Sequence, residues 1–510
     1  MNAARKGLVF LVGAGPGDPG LLTLRAVECL RQADLVLYDK LVPPRVVDYA
    51  PPTAKRICVR DLIDYHGEQS PRVHQTMIEA ARRGECVVRL KGGDPFIFGR
   101  GGEEAEALVQ AGVEFEIVPG VTAALAAGAC AGIPLTHRDL ASCAIFATGH
   151  ENPAKPESAV AWEVLAKSGG TLAIYMGVSR LGQIVGRLLV GGLAPETPSA
   201  VVQWAATGEQ HTVEAPLAEL PTVVQAAGVS APAIVLVGAV VGLRGRLGWF
   251  EHRPLFGKRV LVTRPRRQAT DFVRRLESLG AIPFVLPAID IRPLDDYSAC
   301  DRALAQLARF QWLVFTSVNG VEAFVERLVR TGRDLRALSG VKLAAIGPAT
   351  ADALAALRLR ADLVPTSEFR SEGLAEALRP HVVGQRVLLA RADRGRDVLP
   401  RLLADVADVE QVAVYSQIDV VSADAEELNC LRRGEIDFVT LTSANVARAF
   451  LRSLDETCLE RIASGQVKLA TLSPVTSEAV AEWKLPVSAE ATTYTMQGLL
   501  DALITLARQG

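Results

Sequence analysis

None of the eight cysteines in this 510-residue chain stands in a Cys-x-x-Cys pair, and the seven histidines show no metal-ligand spacing. A structural zinc site, a redox dithiol or a disulfide framework is therefore not expected. Cys29, Cys58, Cys86, Cys130, Cys143, Cys300, Cys430 and Cys458 read as free thiols of a reducing cytoplasm. Aromatic residues are scarce at 5%, so the core must be built from Ala, Leu and Val at close helix–sheet contacts. A basic surplus is missing as well: 55 Lys and Arg against 57 Asp and Glu leave a net charge of −2, too little to neutralise a nucleic-acid backbone. Apolar runs such as residues 231–243 fall short of the ~20 residues that span a bilayer. Arg5-Lys6 and the apolar residues after it imitate a signal peptide, but they run into Pro16-Gly17-Asp18-Pro19 with no small-residue cleavage site. A buried strand entering a turn is the better reading. These absences leave a cytoplasmic protein with small-molecule ligands and no nucleic-acid or membrane partner.

What is present is an alternation of strand-like and helix-like segments. At ~150 residues per domain the length suggests three or four domains. Residues 8–12, 35–38, 85–90, 170–175 and 233–240 read as buried strands, and residues 21–32 and 103–111 as helices. The fold class is α/β. Residues 243–254 mix Gly, Pro and charge between two apolar segments, which places a domain junction there and divides the chain into 1–250 and 251–510.

Past the junction the sequence repeats itself. Gly257-Lys258-Arg259-Val260-Leu261-Val262 is echoed by Gly384-Gln385-Arg386-Val387-Leu388-Leu389, and Phe315-Thr316-Ser317-Val318-Asn319 by Leu441-Thr442-Ser443-Ala444-Asn445. Gly347-Pro348-Ala349-Thr350 returns as Ser473-Pro474-Val475-Thr476, and Arg370-Ser371-Glu372-Gly373-Leu374 as Thr495-Met496-Gln497-Gly498-Leu499. All four echoes fall at a spacing of 125–127 residues. The second half is thus expected to be two similar α/β lobes with a cleft between them.

The first half carries its chemistry in glycine-rich loops. Gly13-Ala14-Gly15-Pro16-Gly17-Asp18-Pro19 follows the first strand, where backbone N–H groups can approach a ligand closely. A dinucleotide fingerprint would need glycine at Asp18, so nicotinamide binding is disfavoured. Arg89-Leu90-Lys91-Gly92-Gly93-Asp94-Pro95 ends another strand, and Gly101-Gly102-Glu103-Glu104 opens a helix whose first-turn acids suit the helix dipole. Pro119-Gly120-Val121-Thr122-Ala123-Ala124 and Gly132-Ile133-Pro134-Leu135-Thr136-His137-Arg138-Asp139 bracket a helix of small residues. His137 reads as a satisfied core or cap residue, with catalysis the alternative.

Those blocks, with residues 36–41 and Tyr175-Met176-Gly177, closely resemble the uroporphyrinogen-III C-methyltransferases of the tetrapyrrole methylase family, over about residues 7–250. The resemblance implies two α/β lobes that bind S-adenosylmethionine between them, in a homodimer, without a metal. It assigns the cofactor pocket to Pro16, Gly92, Gly93, Asp94, Ile97, Thr122, Ala123 and Met176, with Ala205 where the family offers a glycine backbone. Asp39 matches the family's proton acceptor. One departure stands out: Asp61, in Val59-Arg60-Asp61-Leu62-Ile63, occupies the place of a lysine proposed as proton donor, and either Arg60 or Lys55 replaces that charge or the lysine is dispensable. A second is Ser70-Pro71-Arg72-Val73-His74, where the family has Gln-Glu-Glu-Ile-Asn.

In the second half, Thr316, Ser317, Thr442 and Ser443 sit where hydroxyls commonly cap helices, which explains each one singly. Two symmetrical sets facing a cleft would instead suit a ligand rich in carboxylates, because helix N-termini favour anions. From about Phe256 onward the chain resembles uroporphyrinogen-III synthase, with Phe315-Thr316-Ser317-Val318-Asn319, Leu441-Thr442-Ser443-Ala444-Asn445 and Val412-Ala413-Val414-Tyr415 as matching blocks. That resemblance implies two lobes joined by a pair of strands, with hydroxymethylbilane between them. It makes Tyr415 the acid that assists loss of the terminal hydroxyl and places Thr350, Ser443 and Thr476 near the substrate. Arg264 and Arg267 read equally as carboxylate contacts and as surface residues.

The two resemblances form one sequence of reactions: uroporphyrinogen III made by the second half is methylated twice by the first to precorrin-2, for sirohaem or cobalamin. The alternatives are an active methyltransferase with a non-catalytic tetrapyrrole-binding second half, a methylase acting on a macromolecule, and a nicotinamide oxidoreductase.

Overall fold

The computed structural model describes residues 7–62, 70–150, 160–394, 397–422 and 424–509. Arg5-Lys6 of the imitated leader and Ile63 of the altered loop lie outside the described residues. The chain forms two compact units, Met1–Gly257 and Lys258–Gly510. Phe250 and Phe256 close the first unit by packing with Ala126, Cys130 and Ala206. Among the described residues no helix is long and apolar enough to cross a membrane, and no cluster of three or more His, Cys, Asp or Glu could hold a metal ion.

Unit 1 contains two five-stranded sheets. The first is built from β1 (Leu8–Gly13), β2 (Leu35–Tyr38), β3 (Lys55–Cys58), β4 (Cys86–Lys91) and β5 (Phe115–Val118). Every pairing is parallel, in the order β3-β2-β4-β1-β5. Alternation along β1 sends Phe10 and Val12 into one core and Val9 and Leu11 into another, as a sheet covered on both faces requires. The second sheet comprises β6 (Ala144–Thr148), β7 (Thr171–Tyr175), β8 (Pro198–Gln203), β9 (His211–Pro216) and β10 (Ala233–Val237), ordered β6-β7-β10-β8-β9. Only β6 and β7 run parallel there. The small-residue helix Ala123–Ala131 lays Ala124, Ala127 and Ala131 against Ala173, Ala200 and Leu236 of this sheet.

Unit 2 is likewise a pair of sheets, but the sequence repeats are not the lobes. Its strands are β11 (Arg259–Val262), β12 (Ile282–Val285), β13 (Ile289–Arg292), β14 (Trp312–Phe315), β15 (Lys342–Ala345), β16 (Arg386–Ala392), β17 (Asp408–Asp419), β18 (Phe438–Leu441), β19 (Lys468–Thr471) and β20 (Ala489–Glu490). One sheet is β12-β11-β18-β19-β20 and the other β13-β17-β16-β14-β15. The first repeat therefore gives β11 and β12 to one lobe and β14 and β15 to the other, and the second repeat reciprocates. This corrects the expectation of one repeat per lobe. The near-identical strands β11 and β16 have exchanged partners: Val260 pairs with Phe438, and Val387 with Trp312. The chain crosses between lobes twice, and the antiparallel pair β13–β17, with Ile291 opposite Gln417, ties the crossings together.

Candidate active sites

In unit 1 the loops after β1, β4, β5, β7 and β8 converge. The Gly15 and Gly93 backbones exchange hydrogen bonds at 3.2 and 2.8 Å. Asp94 accepts from Phe96 N at 2.8 Å and Gly120 N at 3.0 Å, so its carboxylate staples two of the loops. A Cβ on Gly120 would stand 2.3 Å from the Gly93 carbonyl oxygen, and one on Gly101 2.4 Å from that of Pro95. This close approach explains much of the glycine crowding in the sequence. Gly92 differs, because a Cβ there would meet nothing within 4 Å. Its backbone faces open space.

The rest of the expected pocket gathers around that space. Gly93 lies against Ala123 N, and a Cβ on Gly17 would meet Thr207 at 3.3 Å, which brings the Pro16 loop to the loop after β8. Ile97, Ala123 and Ala205 pack on one cluster with Tyr175. The Thr122 hydroxyl is committed to Tyr175 OH at 2.7 Å, and Ala124 N donates to the same oxygen at 3.0 Å. Thr122 can therefore offer a ligand its backbone more readily than its side chain. Burial raises the Tyr175 pKa, which keeps that hydroxyl protonated. Met176, half exposed, has φ +53°; Phe98, Arg100, Trp204 and Ala206 also have positive φ. Left-handed non-glycine residues are sparse in proteins and gather at ligand sites, and five of the seven among the described residues lie on these loops. An open glycine edge at Gly92 and the exposed Met176 side chain leave room for a cofactor among these loops. His137 is a turn residue, its Nδ1 accepting from Asp139 N at 3.2 Å.

Asp39, at the carboxyl end of β2, is held by a charge. Its Oδ1 lies 2.6 Å from Arg89 Nη2. Arg89 and Lys91 share the face of β4 covered by the helices Ser70–Arg82 and Gly101–Gln110, and both meet Glu104 from the latter, Arg89 at 2.8 Å and Lys91 at 2.9 Å. Arg89, Lys91 and Glu104 are buried, whereas Asp39 is only partly so. Burial opposes the Arg89 charge, but Asp39 and Glu104 outweigh it and raise its pKa; burial and then the Arg89 charge lower the Lys91 pKa. His74 faces the same cluster and is pushed down mainly by burial. Sequence reasoning missed this quartet, having read Glu104 as a helix-dipole acid. Two cations at alternate positions of an otherwise apolar strand were the available signal. Arg60 and Asp61 are exposed on a short 3-10 turn, and Lys55 is exposed on β3.

In unit 2 Tyr415 is 4% exposed on β17, near the seam between the lobes. Its hydroxyl is 3.1 Å from Ser317 Oγ, which also caps the helix Val318–Arg330 through Gly320 N. Gln417 Nε2 approaches the phenol at 3.5 Å, and Asn445 from the other lobe donates to Gln417 Oε1 at 2.9 Å. Burial raises the Tyr415 pKa above the ordinary tyrosine value. Ser443 caps its helix, accepting from Val446 N at 3.3 Å. Thr350 is buried, and Thr476 is fully buried with its hydroxyl 3.1 Å from Ser473 Oγ. The helices beginning at Pro348, Ala444 and Pro474 all start at the carboxyl edges of parallel strands, where open α/β sheets receive ligands.

The family model described as tetrapyrrole (corrin/porphyrin) methylases matches residues 8–221, and that described as uroporphyrinogen-III synthase HemD matches residues 270–501. The porphyrin biosynthesis protein HemD of Ruminiclostridium josui is 33% identical over 98% of this chain and 98% of its own length. The uroporphyrinogen-III C-methyltransferase of Bacillus subtilis is 36% identical over 72% of this chain and 74% of its own. An S-adenosyl-L-methionine-dependent uroporphyrinogen III methyltransferase of Methanosarcina barkeri is 46% identical, over 48% of this chain and 95% of its own. Two matched segments in tandem, shared end to end with a relative, make this chain a member of the porphyrin biosynthesis family that joins a tetrapyrrole methylase to a uroporphyrinogen-III synthase.

Proposed function

We propose that unit 2 cyclises hydroxymethylbilane to uroporphyrinogen III and that unit 1 methylates this product twice to precorrin-2, for sirohaem or cobalamin. The observation that carries the reading is the tandem of the two families in one chain, because the product of one is the substrate of the other.

S-adenosylmethionine supplies an electrophilic methyl group. Pro16, Gly92, Gly93, Asp94, Ile97, Thr122, Ala123, Met176 and Ala205 would hold it, supported by the open edge at Gly92 and the convergence of their loops. The electron-rich pyrrole carbon is its own nucleophile, so alignment is the main task of the protein. Asp39 accepts the proton that the macrocycle then releases, and Arg89 fixes the orientation of that carboxylate. In unit 2 the Tyr415 phenol donates its proton to the departing hydroxyl of the bilane, which leaves as water. A pKa raised by burial keeps the phenol protonated for that purpose, and Ser317 Oγ lies within reach to support the phenolate. Ser443, Thr350 and Thr476 shape the helix starts that would receive the substrate's carboxylates. The chain acts in the cytoplasm, a reading supported by its free cysteines, and as a homodimer through unit 1.

The test is an anaerobic incubation with hydroxymethylbilane and methyl-labelled S-adenosylmethionine. Two labels per macrocycle support the reading, and a single label or none contradicts double methylation. Light scattering that returns the monomer mass would refute the dimer.

A further inference from the structure

Unit 2 carries one strand twice, and the same position on it is treated differently in each copy. Thr263-Arg264 follows Gly257-Lys258-Arg259-Val260-Leu261-Val262 just as Ala390-Arg391 follows Gly384-Gln385-Arg386-Val387-Leu388-Leu389. Arg264 and Arg391 are thus equivalent positions at the carboxyl ends of β11 and β16, each an interior strand of its sheet. Arg391 is buried and has protein partners: the Asp397 carboxylate at 3.3 Å and the Gln411 amide oxygen at 3.1 Å. Arg264 also sits deep enough that burial alone lowers its pKa, with no charged group contributing. Among the described residues, however, no carboxylate lies within ion-pair distance of it. Its hydrogen bond goes to the neutral Gln268 Oε1 at 3.2 Å.

A guanidinium partly withdrawn from water without a counter-charge carries a desolvation cost, which an anionic ligand would offset. The position of Arg264 identifies that ligand's side of the fold. Gln268 donates its amide to Asn319 of the opposite lobe, on the helix capped by Ser317, whose hydroxyl lies 3.1 Å from Tyr415 OH. Arg264 therefore stands at the seam between the lobes, linked through Gln268 to the helix start beside the phenol. Arg267, the other candidate, is exposed on the outer turn of the helix Arg266–Ser278.

We infer that Arg264 receives a carboxylate arm, acetate or propionate, of the linear tetrapyrrole, which supplies the acidic partner that Asp397 provides for Arg391. A planar guanidinium with free N–H groups suits such an arm. The inference rests on the reading of unit 2 as a synthase.

The experiment follows type III isomer formation from hydroxymethylbilane by the full chain, without S-adenosylmethionine, alongside thermal unfolding. Arg264→Gln should raise KM by about tenfold or more, the cost of one charged hydrogen bond, with kcat within about threefold. Arg264→Lys should fall between Arg264→Gln and the parent. The melting point of Arg264→Gln should match or exceed that of the parent, because no protein carboxylate loses its partner; Arg391→Gln should lower it. An unchanged KM in Arg264→Gln overturns the inference, as does a loss of stability equal to that of Arg391→Gln. Type I isomer from the parent protein would sink the synthase reading itself, and the inference with it.

Discussion

Asp39 in unit 1 is held by a buried cation that is itself shared with a buried anion, whereas Tyr415 in unit 2 is surrounded by a serine hydroxyl and amides. The contrast suits the roles proposed for them, one taking a proton and the other giving one. A proton acceptor needs a carboxylate held in a fixed place, and Arg89 Nη2 holds Asp39 Oδ1 at 2.6 Å. A phenol that donates a proton has to stay neutral, and burial favours that, outweighing the opposing pull of its hydrogen-bond partners and of the Arg391 charge. Arg89, Glu104 and Lys91 form a buried cluster that Asp39 joins through Arg89, and Glu104 is the member whose removal takes away the ion-pair partner of Lys91.

The largest expected effect comes from breaking that quartet. Glu104→Gln leaves Arg89 and Lys91 buried with half their counter-charge, and unit 1 should lose about 3–5 kcal/mol of stability in denaturant unfolding. A smaller loss should follow Ser317→Ala in unit 2, where a helix cap and a neutral hydrogen bond to Tyr415 are removed, each worth about 0.5–1.5 kcal/mol. Equal losses would erase the contrast.

Function separates along the same line. Tyr415→Phe should slow type III isomer formation by about 100-fold, with unit 2 folded and methylation of supplied uroporphyrinogen III unaffected. Asp39→Asn should do the reverse, lowering methylation by about 100-fold while cofactor affinity, read by calorimetry, stays near that of the parent. A large loss of cofactor binding in Asp39→Asn would make Asp39 a structural member of the pocket.

The legibility of these features in the sequence was uneven for physical reasons. Strand ends and the loops after them were readable, because glycine and proline at Gly92, Gly93 and Pro95 mark where backbone must turn. The quartet was hidden because Glu104 satisfies a local rule, acid in the first turn of a helix, that masks its long-range partner on β4. The repeat was visible, yet its exchange of strands was not. β11 and β16 carry almost the same side chains, so either would fit beside β14 or β18, and only the two crossings near β13 and β17 decide between them. Ser443 shows the opposite case, since the capping that its position implied is what the structure contains.

The smallest effect is a pH dependence. Tyr415 holds its proton above the ordinary tyrosine pKa because it is buried. As pH rises through ~10, the unfolded chain releases that proton while the folded one retains it. This group's contribution to stability is therefore complete below ~10 and declines from there towards its raised folded value. The stability difference between parent and Tyr415→Phe should shrink over that window; a difference independent of pH would mean that the phenol is not shifted.

The central claim is that one chain both closes the ring and methylates it, and the isomer of the unmethylated product tests it most directly. Hydroxymethylbilane given anaerobically to the purified chain without S-adenosylmethionine should yield uroporphyrinogen III, separable from the type I isomer by chromatography after oxidation. Type I alone would mean spontaneous closure and a second unit that binds tetrapyrrole without catalysis.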